Sequence, residues 1–338
     1  MLKTALIGCG AIAHEHMGYL ERSTVTKVVA VCDASAAAGR YFRERFGIPA
    51  SFTDAAEMLG TVKPDVVHVL TPPRTHASLV ATALQAGAHV FCEKPIALTL
   101  GELDRIEDVA RSTGRRYVES HNYRFNDQIM ALDELVRTNR LGSLRAVDVL
   151  MAVPMVADDL GSPAGAVHDY LTHACYLLLQ FLDPQAPVRL AGTHWALVDG
   201  APQARFNDLS ALLSCGDAMA SLRISATIRP MAFRVGLKGT RGMAEVELFQ
   251  PSVRKEFQHD DGQFGPTLDM ARNGAGQLGS AAGNLKDKLL QRGVYHGLVR
   301  LLSGFYDAVG SGAEPPVTPT QIRRTLSLIE ELISRVPH

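Results

Sequence analysis

The chain has 338 residues, long enough for two ordinary domains, with 46% hydrophobic and 20% charged residues. That balance excludes a disordered or fibrous protein, and a formal net charge of −1 offers no basic excess for nucleic acid or an anionic membrane. No apolar run approaches ~18 residues and no signal-peptide profile opens the chain. Because the five cysteines form no C-x-x-C pair, a thiol-reduced, cytoplasmic protein is expected.

The first element is a strand, "KTALIG" (3–8), which runs into Gly8-x-Gly10-x-x-Ala13 at the start of a helix over 11–21. Glycine also ends strands for no special reason, but here it sits between a strand and a helix. Gly8 permits the tight turn, Gly10 lets a pyrophosphate approach the backbone, and Ala13 allows close helix–sheet packing. The helix start, with Ala11 and Ile12, offers N–H groups and a positive dipole end to the anion. His14 and His16 follow. Two residues apart on a helix they point about 200° from each other, so they cannot share an ion and read as cofactor-adjacent or surface side chains.

The next strand, "KVVAVCD" (27–33), ends on Asp33, about 20 residues past the glycine motif, where a carboxylate can hold a ribose 2′-hydroxyl. A carboxylate there repels a 2′-phosphate, so NAD is favoured over NADP. Small neighbours, Ala34 and Ser35, leave room for either. A helix over 34–46, strands over 65–71, 89–93 and 116–120, and helices over 76–86 and 99–112 complete an alternating series. Such alternation predicts βαβ units and a parallel sheet covered on both faces. Thr71, Pro72 and His76 fall at the carboxyl edge of that sheet, where open α/β sheets bind ligands. Then comes "HVFCEKPIALT" (89–99), which puts Glu93 and Lys94 at the mouth of a buried strand.

After "HNYRFN" the grammar changes. A helix over 126–141, a strand over 143–153 and a helix over 167–182 precede strands over 189–198, 209–215 and 218–228 and a hairpin over 233–249 turning at Gly239–Gly242. Residues 260–284, rich in Gly and polar residues, read as a long irregular loop, including Gly274 to Gly283. An amphipathic helix over about 319–335 ends the chain. The expected fold is an α/β dinucleotide-binding domain (1–122) followed by an α+β domain (123–338) with a large, mostly antiparallel, open-faced sheet. The last helix is expected to pack back on the first domain. In "HDYLTHACYLLLQFL", Asp169, His173 and Tyr176 share one helix face. His168 lies about 140° from His173, which argues against a two-histidine metal site.

Taken together, "GCGAIAHEH" (8–16), "CD" (32–33), "TPPRTHASLVATAL" (71–84), "GAHVFCEKPIALT" (87–99), "NYRFN" (122–126) and "LKGTRGMAEV" (237–246) make the chain resemble the glucose–fructose oxidoreductase / inositol dehydrogenase (Gfo/Idh/MocA) family over nearly its whole length. The resemblance implies a Rossmann domain joined to an α+β domain whose open sheet forms an oligomer interface, hence a homodimer or homotetramer. It implies that Lys94 is the active-site lysine, Glu93 its cofactor-side neighbour, and Lys94–Pro95 a cis bond. Asn122 and Arg124 are expected near the nicotinamide, although both residue types equally suit a turn and interdomain hydrogen bonds. The family's second-domain pattern is Asp, then His or Tyr four residues on, then Asp three further. Asp169 and His173 match it, and Tyr176 replaces the last Asp as an expected substrate contact. The reduced glycine run "SPAGAV" (162–167) and Leu171 also depart from the pattern.

These residue types suit alcohol oxidation. A histidine with a pKa near working pH can take the hydroxyl proton, a carboxylate can orient it, and an ammonium stabilises developing alkoxide. The expectation is an NAD(P)-dependent oxidoreductase acting on a sugar, sugar derivative or polyol, with Lys94, Asp169 and His173 catalytic and no metal. Two alternatives stand beside it: a non-catalytic NAD(P)/sugar sensor, and a reductase of a non-sugar carbonyl or imine.

Overall fold

A computed structural model describes residues 1–154, 163–197, 206–259, 264–289 and 296–336. The chain divides into two compact units, Met1–Asn122 with Leu298–Ser327, and Tyr123–Gly297 with Leu328–His338.

In the first unit, strands β1 (Leu2–Ile7), β2 (Thr26–Cys32), β3 (Ala50–Phe52), β4 (Val66–Val69), β5 (His89–Cys92) and β6 (Tyr117–Glu119) alternate with helices α1 (Ala11–Leu20), α2 (Ala36–Phe46), α3 (Ala55–Val62), α4 (His76–Gln85) and α5 (Leu100–Thr113). The strands pair in parallel in the order β3-β2-β1-β4-β5-β6, the doubly wound Rossmann order. Every residue of β4 and β5 is buried, as expected of strands covered on both faces. Helix boundaries follow local chemistry. Ser35, Asp54 and Thr99 each cap a helix start by accepting a backbone N–H three residues on, and Gly47 and Gly114 end α2 and α5 in the left-handed conformation. Short β3 and α3 were not predicted.

The second unit contains α6 (Asp127–Arg137), β7 (Leu144–Ala152), α7 (Pro163–Gln180), β8 (Val188–Leu197), β9 (Phe206–Cys215), β10 (Ala218–Ser225), β11 (Ala232–Gly239), β12 (Gly242–Glu247), β13 (Ser252–Phe257) and α8 (Gly265–Leu289). Its sheet runs β13-β12-β11-β7-β10-β9-β8. All neighbours are antiparallel except β7 and β10. Alternate residues Val147, Val149, Leu222, Ile224, Val235 and Leu237 join Leu171, Leu178 and Tyr176 of α7 in one core, which also holds Trp195, the sole tryptophan. The opposite face carries Asp148, bonded by Ser221 and Lys238, and leaves Leu212, Met219 and Met243 exposed. Two further helices follow, α9 (His296–Ser311) and α10 (Pro319–Ile333). Within the first unit Arg323 of α10 bonds Asp104 and Glu107 of α5.

One expectation fails. Residues 265–284 belong to α8, not to an irregular loop. Gly274, Gly276, Gly279 and Gly283 sit in open space on the helix surface, where each costs only about 1 kcal/mol against alanine. Leu268, Ala271, Ala275, Leu278, Ala282, Leu285 and Leu289 recur at spacings of three and four along it and are exposed.

Candidate active site

The turn after β1 is built for close approach. Gly8 has φ +102°, and a Cβ on it would lie 2.6 Å from the Leu70 carbonyl oxygen. Gly10 caps α1 with no side-chain oxygen, and nothing stands within 4 Å of where its Cβ would be. That leaves the N-terminal turn of α1, with Ala11 and Ile12, as a cradle for an anion. Asp33 closes it. Its Oδ2 accepts the Cys9 N–H (2.9 Å) and its Oδ1 the Ser35 N–H (2.8 Å), fixing the carboxylate while each oxygen keeps a lone pair for a ribose hydroxyl. Burial, then the Asp33 charge, pushes the Cys9 thiol up to about 12, so it adds no negative charge beside a phosphate. These residues fit a nicotinamide dinucleotide.

Beyond β4, the Thr71 hydroxyl bonds Thr75 at 2.7 Å, and Pro72 precedes a short 3₁₀ turn. His76 is buried with Nδ1 2.7 Å from the Pro95 carbonyl and Nε2 2.5 Å from that of Thr71. It ties the β4 loop to the segment after β5. In that segment Lys94–Pro95 is cis. A buried carboxylate that sequence reasoning missed, Glu119 of β6, supports it, accepting the Ile96 N–H at 2.8 Å while pairing with His121 at 2.8 Å. Glu93 bonds His16 Nε2 at 3.1 Å. Burial alone would raise its pKa, but the His16 bond and charge, Lys94 and Ser120 together hold it below the usual carboxylate value. His16 is fully buried, which removes the surface alternative of its two readings, while His14 packs against Phe42 and Phe46.

In the second unit, α7 brings His173 and Tyr176 together, with Nδ1 of His173 2.9 Å from the Tyr176 hydroxyl. That hydroxyl also accepts the Tyr123 N–H at 3.2 Å, and the Tyr123 ring meets His173 edge-on at 4.8 Å. Tyr176 is buried and His173 half-buried. Asp169 is part of α7, but its side chain lies outside the described residues. Arg124 follows Asn122 in a 3₁₀ turn. Burial lowers the Arg124 pKa against the pull of Asp133, and Asp133, raised by burial, is bonded by Gln180 at 2.6 Å. Among the described residues no cluster of His, Cys, Asp and Glu could hold a metal ion, and no helix is long and apolar enough to cross a membrane.

Residues 2–121 match the family model GFO_IDH_MocA, an oxidoreductase family with an NAD-binding Rossmann fold. The chain is 35% identical over 144 residues to D-glucoside 3-dehydrogenase of Escherichia coli (strain K12), a match spanning 42% of this chain and 41% of that relative. It is 25% identical over 273 residues to inositol 2-dehydrogenase of Rhizobium meliloti (strain 1021), covering 79% and 82% of the two chains. WlbA dehydrogenase from Bordetella pertussis, solved with NADH and UDP-GlcNAcA, shares the fold with a TM-score of 0.80 at 18% identity, covering 99% of this chain and 95% of that one.

Proposed function

We infer that this chain, which belongs to the Gfo/Idh/MocA oxidoreductase family, interconverts an alcohol and a carbonyl on a sugar, sugar derivative or polyol with NAD(P). The bound nicotinamide supplies the hydride acceptor or donor. The observation that carries this reading is the cradle of Gly8, Gly10 and the uncapped start of α1, closed by a carboxylate held on two backbone N–H groups. An Asp33 so fixed favours the 2′-hydroxyl of NAD over the 2′-phosphate of NADP.

Oxidation of R₂CH–OH releases a proton from oxygen as the hydride leaves carbon. His173 takes that proton, its ring held by the Tyr176 hydroxyl, which can donate to a bare Nδ1 or accept from a protonated one. Lys94 supplies positive charge for the developing alkoxide, and Asp169 orients the hydroxyl. Asn122 and Arg124 serve the nicotinamide end. The open face of the second sheet suits self-association into a dimer or tetramer, to be read by sedimentation.

The test is a polyol and sugar panel followed by the absorbance of reduced nicotinamide, with Lys94→Ala and His173→Ala beside the parent. Turnover that falls roughly 10²-fold in each variant, with cofactor affinity little changed, supports the reading. Cofactor binding with no turnover of any panel member favours the sensor alternative.

A further inference from the structure

Helix α8 meets its own unit through polar groups and turns its apolar residues outward. Asp269 Oδ2 accepts the Phe257 N–H at 2.9 Å and pairs with His259 at 2.9 Å. Asn273 accepts the Lys255 N–H at 3.0 Å and donates to the Lys255 carbonyl at 2.7 Å. Asn284 donates to the Pro251 carbonyl at 3.3 Å. Because β13 is the last strand of its sheet, α8 covers an edge whose backbone groups would otherwise recruit another strand. Asp269 is buried, and Asn273, Ser280 and Asn284 are half-buried. At about 100° per residue these four share one face. The other described side chains from 266 to 289 are exposed.

The outward face is a heptad seam. The apolar repeat from Leu268 to Leu289 alternates spacings of three and four without a break, which is the pattern that pairs helices. Phe264 extends it by one position and accepts the Leu268 N–H at 3.0 Å. Phe264, Leu268, Leu278, Leu285 and Leu289 are between 51% and 77% exposed. The polar bonds to β13 hold the opposite side of the helix, so these residues cannot roll inward. Gly274 and Gly279 border the seam at its middle, and among the described residues nothing stands within 4 Å of where a Cβ on either would lie. Glycine weakens a helix interior, and their own chain makes no demand for it there. A second backbone running close along the seam would.

We propose that this seam is a self-association surface, on which α8 of a second copy of the chain packs antiparallel about a two-fold axis between Gly276 and Gln277. The repeat reads alike in both directions from that point. Phe264 meets Leu289 of the second copy, Leu268 meets Leu285, Ala271 meets Ala282 and Ala275 meets Leu278, and each pairing recurs by symmetry. Alanine in the inner layers, bordered by Gly274 and Gly279, lets the helix axes approach to about 8 Å. The rim agrees. Lys288 comes opposite Thr267, Lys286 opposite Gly265 and Arg272 opposite Gly279, so no basic side chain faces another. Parallel pairing would instead bring both lysine-bearing ends together and align the helix dipoles. Five large side chains from each copy, at on the order of 100 Å² apiece, reach the ~1,000 Å² that a specific interface clears. The surface is distinct from the sheet face that carries Asp148, Leu212 and Met219, and it does not depend on the dehydrogenase reading.

The experiment is sedimentation of the full chain and of Leu278→Lys, with disulfide trapping as the second measurement. Leu278 is 76% exposed, so lysine there leaves the single chain folded. Leu278→Lys should sediment at half the parent's mass, whether or not the sheet face also associates. Leu268→Cys and Leu285→Cys combined in one chain should oxidise to a covalent dimer, since a helical rise of about 25 Å separates the two within one copy. Leu268→Cys alone should not cross-link, because its counterpart lies at the far end of the pair. The parent, oxidised alongside, is the blank for Cys9, the one native thiol that is not buried. Equal masses for the parent and Leu278→Lys overturn the proposal. So does cross-linking of Leu268→Cys alone, the mark of parallel pairing, or a double-cysteine chain that stays single. A parent that sediments as one copy yet floats with phosphatidylserine vesicles, and loses this in Leu278→Lys, overturns it in favour of a membrane surface. Should Leu278→Lys aggregate, the cross-linking pattern of the two cysteine chains decides.

Discussion

The hydroxyl of Tyr176 lies 2.9 Å from Nδ1 of His173, one helical turn away on α7, and accepts the Tyr123 N–H from its other side. The ring of the proposed base is thus held by a buried phenol. Tyr176→Phe keeps the ring volume and removes only this link. It should cost about 0.5–1.5 kcal/mol of stability, since a half-buried N–H loses its acceptor, and lower kcat roughly tenfold or more with cofactor affinity unchanged. Thermal melts and a kcat-against-KM comparison check both parts.

Gly8→Ala should abolish cofactor binding. The new Cβ would lie 2.6 Å from the Leu70 carbonyl oxygen at a backbone φ of +102°, so β1 and the β4 loop must part. Left-handed backbone alone costs alanine about 1–3 kcal/mol. Fluorescence titration with NADH, alongside a melt, measures the two losses.

Asp33→Ala removes the acceptor for the Cys9 and Ser35 N–H groups and the partner of a ribose hydroxyl. The dissociation constant for NAD should rise more than that for NADP, shifting their ratio by roughly tenfold or more, the worth of about 1.5–3 kcal/mol for a hydrogen bond to a charged group. Equal weakening of both cofactors would remove the ribose role.

Acid stability should carry a signature of His89. Burial, then Arg115 and Arg116, lowers its pKa from 6.5 to about 4, and Nδ1 accepts the Arg116 N–H at 3.0 Å. As pH falls below 6.5 the unfolded chain takes up a proton that the folded ring refuses, so stability declines until about pH 4. His89→Asn should flatten that decline by on the order of 1–3 kcal/mol, read from denaturant melts across the window.

Much of the first unit was legible because strands buried on two faces leave continuous Val, Ile and Leu runs, and because glycine at Gly8 answers a steric demand. The short β3 and α3 escaped, since a three-residue strand offers no period. In α8 the five glycines drew attention away from an apolar repeat that a spacing count would have found. Glu119 and the pairing of His16 with His68 were invisible for another reason. Their partners are distant in sequence, and a lone histidine in a strand such as "VVHV" says nothing of what it meets. Asp33 stood out through its place after the glycine motif, whereas Lys94 and His173 drew their roles from the family resemblance.

Trp195 lies in the core of the second unit, and the chain has no other indole. Its emission during a melt therefore tracks that unit and is blind to the dinucleotide-binding one, whereas circular dichroism follows both. Comparing the two transitions tells whether the halves unfold as one cooperative block, and whether added NADH delays the dichroic transition without touching the emission.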